Sequence, residues 1–159
     1  MSPARTDLGS DRLAGRPGFL IRRLHQIHLA LFAEECAAFG VTPVQFSIMT
    51  VAADRPGLDQ LRLAQEVGVD RATLANVVSR LERRGMLVRR QSREDRRLKQ
   101  VTLTARGRRR LAAMQAAAAR AHDRTVAALP ARERRAFLAA LRRLVDAGND
   151  YGRAPLRLR

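Results

Sequence analysis

The chain of 159 residues contains one cysteine, one tyrosine, five phenylalanines and no tryptophan. Cys36 alone closes no intramolecular disulfide, so the fold must be held by a core rather than by cross-links. With three histidines, one cysteine and no Gly-rich phosphate loop, the sequence offers no nucleophile motif or metal-ligand cluster; neither catalysis, a metal nor a cofactor is expected. No apolar run approaches the roughly 18 residues of a membrane span. The opening MSPARTDLGSDRLAG has no apolar signal-peptide core, so a cytoplasmic protein without membrane contact is expected. Lysine is nearly missing as well, since Lys99 is the single lysine among 31 basic residues. Arginine's forked donors suit phosphates and guanine edges, although GC-rich coding produces the same bias.

What is abundant is positive charge, a net +16, and it is local. Residues 1–70 are close to neutral, whereas residues 71–110 hold 14 basic and 3 acidic side chains and residues 111–159 hold 10 and 4. A surplus of that size in a globular composition makes a polyanion, nucleic acid first, the expected partner.

Glycine and proline punctuate the chain into segments of mostly helical length. From Pro17 to Phe39, Leu20, Leu24, Ile27 and Leu31 recur at helical spacing beside a second stripe of Phe32, Cys36 and Phe39. Thr42 caps a second helix through Phe46, Ile48, Met49 and Val51 to about Ala53, with Pro43 in its first turn. Residues 59–67 form a short helix with Leu61, Ala64 and Val67 inward; Gly68-Val69-Asp70 then turns the chain, and Asp70 caps a helix over Arg71–Arg84. There Leu74, Val77, Val78 and Leu81 are buried, while Arg71, Thr73, Asn76, Ser79 and Arg80 face outward. After Gly85 the period drops to two in MLVRRQ and LKQVTLT, a hairpin with Arg89, Arg90, Arg93, Arg96 and Arg97 around its tip. Thr104 caps an Ala-rich helix from 105 to about 128, with Leu111, Met114, Ala118, Ala121 and Thr125 on one face. A last helix, about 131–147, carries Phe137, Leu138, Leu141, Leu144 and Val145 on one side.

Ala64, Gly68, Leu74 and Val77 fit a helix-turn-helix, in which a small residue and a tight turn let a second helix lie in the major groove. The basic hairpin that follows is what a winged variant needs. The stretches TPVQF (42–46), LAQEVGVDRATLANVVSRLERRGMLVRR (63–90) and DRRLKQVTLTARG (95–107) resemble the MarR family of bacterial winged-helix regulators, and the likeness extends from the first helix to the last.

That resemblance implies a mainly α, winged helix-turn-helix fold with N- and C-terminal dimerisation helices: a flexible N-terminus (1–16), dimerisation helices (17–40 and 105–148), a DNA-binding domain (41–104) and a tail (149–159). It implies contact with double-stranded DNA by Arg71, Thr73, Asn76, Ser79 and Arg80 of the recognition helix and by Arg93, Arg96 and Arg97 of the wing. Arg97 would enter the minor groove, where narrow A·T-rich DNA attracts cations, and Asp95 would hold a neighbouring arginine. A homodimer would read a pseudo-palindrome with half-sites roughly 34–36 Å apart. It further implies an effector, an aromatic acid or its acyl-CoA thioester, bound among Phe19, Arg22, Arg23, His25, His28, Phe32, Phe46, Met49, Met114 and His122. Release of a repressor from its operator is the expected output, in a setting of aromatic-compound catabolism. Two other readings stay open: oxidant sensing through Cys36, and nonspecific architectural binding of DNA.

Overall fold

The computed structural model describes residues 13–152. Six helices are joined to a small antiparallel sheet: α1 (Pro17–Glu35), α2 (Pro43–Asp54), β1 (Leu58–Asp59), α3 (Gln60–Val67), α4 (Arg71–Arg83), β2 (Leu87–Gln91), β3 (Lys99–Leu103), α5 (Ala105–Thr125) and α6 (Ala131–Ala147). The expected flexible segment 1–16 and tail 149–159 fall largely outside the described residues; Leu13–Gly15 and Asn149–Tyr151 are short 3-10 helices.

Most boundaries follow from local chemistry. Thr42 and Gln45 form a reciprocal capping box at the start of α2, satisfying two backbone N–H groups that the helix would otherwise leave open. Asp59, Asp70 and Thr104 cap α3, α4 and α5 by accepting from the N–H of Arg62, Thr73 and Gly107. α1 is shorter than its apolar pattern: it stops at Glu35, and Ala37–Phe39 tighten into a 3-10 helix that ends on Gly40 in the left-handed region (φ 57°). Gly68, also left-handed (φ 72°), makes the α3–α4 turn that the helix-turn-helix pattern requires.

The sheet runs β1-β3-β2, with Leu58 opposite Val101 on one side of β3 and Leu87 opposite Leu103 on the other. β1 went unforeseen because two residues carry no readable period. Helix α3 is rotated from the expected phase. Leu63 is fully buried with Ala64, whereas Leu61 is 40% exposed, so the inward stripe is Leu63, Ala64 and Val67 rather than one centred on Leu61. The cap at Asp59 starts the helix at Gln60 and fixes that phase.

One continuous core joins Phe32 of α1, Ile48 and Met49 of α2, Leu63, Leu74, Val78 and Leu81 of the helix-turn-helix, Leu87 and Val101 of the wing, and Met114 and Ala121 of α5. α6 buries none of its residues. Among the described residues no helix is long and apolar enough to cross a membrane.

Candidate nucleic-acid interface and effector site

The expected contacts on α4 emerge as a face. Arg71, Thr73, Asn76 and Arg80 are exposed and Ser79 is half-buried, while Leu74, Val77, Val78 and Leu81 point into the core. Thr73 has a second duty: its hydroxyl donates to Asp70 Oδ2 (2.7 Å) while its N–H donates to Asp70 Oδ1 (2.8 Å), holding the helix start. These bonds to the ionised carboxylate keep Asp70 below the usual carboxylate range.

The wing tip is a hydrogen-bonded turn. Buried Ser92 accepts from the N–H groups of Glu94 and Asp95 (3.2 and 3.3 Å), and its own N–H donates to Leu98 O (2.9 Å). Gln91 Nε2 donates to Arg96 O at 2.7 Å. Asp95 Oδ1 accepts from the backbone N–H of Arg97 at 2.9 Å, so its hold is on the main chain of its neighbour. Ser92 and Gln91 were missed by sequence reasoning; a serine three residues before an aspartate was the available signal. The turn leaves Arg93, Arg96 and Arg97 exposed.

Arg89 is not part of the tip, contrary to expectation. Its side chain turns back on Glu82, Nε lying 2.9 Å from Oε2, and its backbone N–H donates to Oε1 (3.1 Å). That pairing places the Glu82 carboxyl below the ordinary range and neutralises the one acidic side chain of α4. Meanwhile Arg71 and Arg97 line one open groove with Leu61, Leu74 and Leu98, bringing the start of α4 and the wing to a common face. Replacing Arg97 or Asn76 with alanine should weaken binding to a specific palindrome by roughly 1–3 kcal/mol and binding to random duplex by less, as measured by anisotropy at fixed salt. Equal losses on both duplexes would remove these residues from specific readout.

A second constellation lies where α1, α2 and α5 meet. The His28 ring stacks on His122 (centroids 5.1 Å apart, 18° between planes) and tilts against Phe32 at 6.0 Å; Phe32 in turn packs against Phe46 at 5.8 Å. Thr125 was not foreseen as a site residue, yet its Oγ1 lies 2.9 Å from His28 Nδ1. That hydroxyl donates its only proton to Ala121 O (2.7 Å), so it accepts from His28, which places the proton of neutral His28 on Nδ1 and frees Nε2. Four of the ten expected effector residues are thus brought together. Met49 and Met114 are completely buried core. Phe19 and Arg22 pair with each other at 5.3 Å, Arg23 donates to Gln26, and His25 is exposed, all nearer the start of α1.

Burial first, and then the nearby His122 and His25, lower the pKa of His28. A histidine kept neutral by the fold contributes stability above the unfolded value of about 6.5 and loses it as pH falls through the lower folded value. The melting temperature should therefore drop through the window just below about pH 6.5, and His28→Phe should flatten that slope. A wild-type melting temperature constant across this window would contradict the assignment. Among the described residues, no group of three or more His, Cys, Asp or Glu is placed to hold a metal. Cys36 is buried, and burial followed by the adjacent Glu35 pushes its thiol up, away from the reactive thiolate.

A helix-turn-helix followed by a basic hairpin, with Arg71 of the one and Arg97 of the other on a common groove, defines a winged-helix DNA-binding protein. Residues 41–99 match the MarR family. Over 146 residues the chain is 35% identical to a Thauera aromatica protein assigned as transcriptional regulator for the hcr operon, covering 89% of this chain and 88% of that one. Among solved structures it is similar to BpsR of Bordetella bronchiseptica, described for the regulation of its DNA binding by 6-hydroxynicotinic acid (29% identity, 87% and 99% of the two chains, TM-score 0.82). It is also similar to CouR of Rhodococcus jostii RHA1 bound to p-coumaroyl-CoA (26%, 85% and 95%, TM-score 0.73). The chain belongs to the MarR family and is a transcriptional regulator.

Proposed function

We propose that this regulator is a repressor that grips a pseudo-palindromic operator as a homodimer and releases it when a small aromatic acid binds at the α1–α2–α5 junction. The observation that carries the reading is the cluster of His28, Phe32, Phe46, His122 and Thr125. It offers aromatic faces for a ring, the unprotonated Nε2 of His28 as an acceptor for a ring hydroxyl, and an N–H of the His122 imidazole for a carboxylate. The same α5 that carries His122 and Thr125 begins at the foot of the wing, so a ligand that shifts α5 acts on the DNA-binding face. The BpsR likeness supports an acid; the CouR likeness supports the thioester form, whose phosphates would need arginines outside the cluster.

The test is fluorescence anisotropy of the protein on its own upstream palindrome, at fixed physiological salt, titrated with 6-hydroxynicotinate, hydroxybenzoates and p-coumaroyl-CoA. Release by a free acid, abolished in His28→Ala, supports the proposal. Release by a thioester alone moves the effector to that class. Tight binding that none of these ligands disturbs, but that peroxide abolishes in wild type and not in Cys36→Ser, would replace it with redox control.

A further inference from the structure

Charge surplus is not confined to the DNA-facing groove. At the opposite end of α4, Arg83, Arg84, Arg106 and Arg110 surround an open cavity of about 400 Å³ floored by Gly85 and Met86, with no carboxylate in its lining. Two of the four have structural partners. Arg84 donates to the carbonyls of Gly40 (2.7 Å) and Phe39 (3.0 Å), and Arg110 donates to those of Ala38 (3.1 Å) and Phe39 (2.9 Å) while lying over the Phe39 ring. Arg110 Nε is nevertheless buried without a hydrogen-bond partner among the described residues. Arg83 and Arg106 are exposed and make no hydrogen bond or ion pair there.

The local backbone draws these cations together. Gly85 is left-handed (φ 69°), and Thr104 Oγ1 donates to its carbonyl at 2.7 Å, fixing the start of α5 against the end of α4. The Arg106 side chain then passes beside Gly85, its Cδ 3.8 Å from where a Cβ would stand. Four like charges converging without a carboxylate repel one another, and a multivalent anion is what relieves that repulsion; guanidinium forks match phosphate oxygens in particular. The cavity lies at the base of the hairpin and at the C-terminal end of a recognition helix about 20 Å long, whereas Arg71 and Arg97 meet at the other end.

We propose that this arginine basin is a phosphate-binding site, separate from the effector cluster, that takes the linked phosphates of a diphosphate-class ligand. Two sources share that chemistry: a free phosphorylated metabolite and the backbone of duplex flanking the operator.

Pyrophosphate titrated by calorimetry into the full-length protein should show one saturable site per chain, weakened at least tenfold by Arg83→Ala/Arg106→Ala. An equal charge removal at Arg132→Ala/Arg135→Ala on α6 should leave it within twofold, and an unchanged melting curve shows that the variants are folded. Operator affinity measured against salt separates the sources. A slope of log affinity against log salt reduced by about two in the basin variant identifies duplex phosphates. An unchanged slope with pyrophosphate binding lost identifies a free ligand. Pyrophosphate binding that is unsaturable or equal in the basin variant, together with an unchanged slope, overturns the site.

Discussion

Glutamate at Leu138 and Leu144 together is expected to turn the protein into a monomer and to weaken its hold on a full palindrome by two orders of magnitude or more. The reason is an uncovered apolar stripe. In α6 Leu138 is 46%, Leu144 64% and Val145 43% exposed, and α1 leaves Leu20, Ile21 and Ile27 about half exposed. A helix of 17 residues gains little from propensity alone and is stabilised mainly by packing of its apolar face, yet α6 packs no residue into the protomer core. A second copy is the partner that the family's dimeric habit supplies. Once two recognition helices are joined, the second half-site binds at a high effective concentration, which is worth roughly 10²–10⁴ in affinity. Sedimentation would report the mass and anisotropy the loss, with a single half-site as control: its affinity should barely move, because the substituted side chains lie outside the winged core. A variant that stays dimeric, or a monomer that binds the palindrome undiminished, would refute this use of α6.

The winged domain was legible because its signals are short-range. Caps at Thr42, Asp70 and Thr104, the Gly68 turn and the alternation of Val101 and Leu103 each act within a few residues, and each operates as the pattern implies. Errors arose where a residue's fate depends on how the elements pack and not on its own spacing. Arg89 looked like one more wing cation because nothing nearby announces that Glu82, on the preceding helix, will capture it. Leu61 looked buried because its spacing to Ala64 suits a helical stripe, but the core is reached through Leu63. The effector residues were legible only as types: aromatic rings and histidines on α1, α2 and α5 could be named. Which of them meet depends on how α1 crosses α5, and that crossing brings His28 to His122 and Thr125, 94 and 97 positions away in the chain.

Gly107→Ala should cost about 3 kcal/mol or more, at the upper end of what overpacking exacts. A Cβ at this position would stand 2.1 Å from Met86 O and 2.8 Å from Leu103 Cδ2, with backbone on one side and buried wing on the other. No side-chain rotation relieves a clash with a carbonyl, so α5 must lift away from the strand entry. Lifting it breaks the bond from Thr104 N–H to Met86 O (3.0 Å) and strains the cap by which Thr104 Oγ1 accepts from Gly107 N–H (3.0 Å). The melting temperature should fall by roughly 6–12 °C. Gly18→Ala, where nothing stands within 4 Å of the added carbon, serves as the matched control and should leave it unchanged or slightly raised. A Gly107→Ala melt within 2 °C of wild type would show that the first turn of α5 is not seated on the wing. If it is seated there, the consequence reaches beyond stability. The helix whose first turn supports the wing runs without interruption to His122 and Thr125, about 27 Å away, so the proposed effector cluster and the wing hairpin are attached to opposite ends of one rod. Gly107→Ala should then weaken operator binding even at temperatures where the protein is fully folded, and should reduce the further loss that an effector causes, because the wing end of the rod has already been displaced.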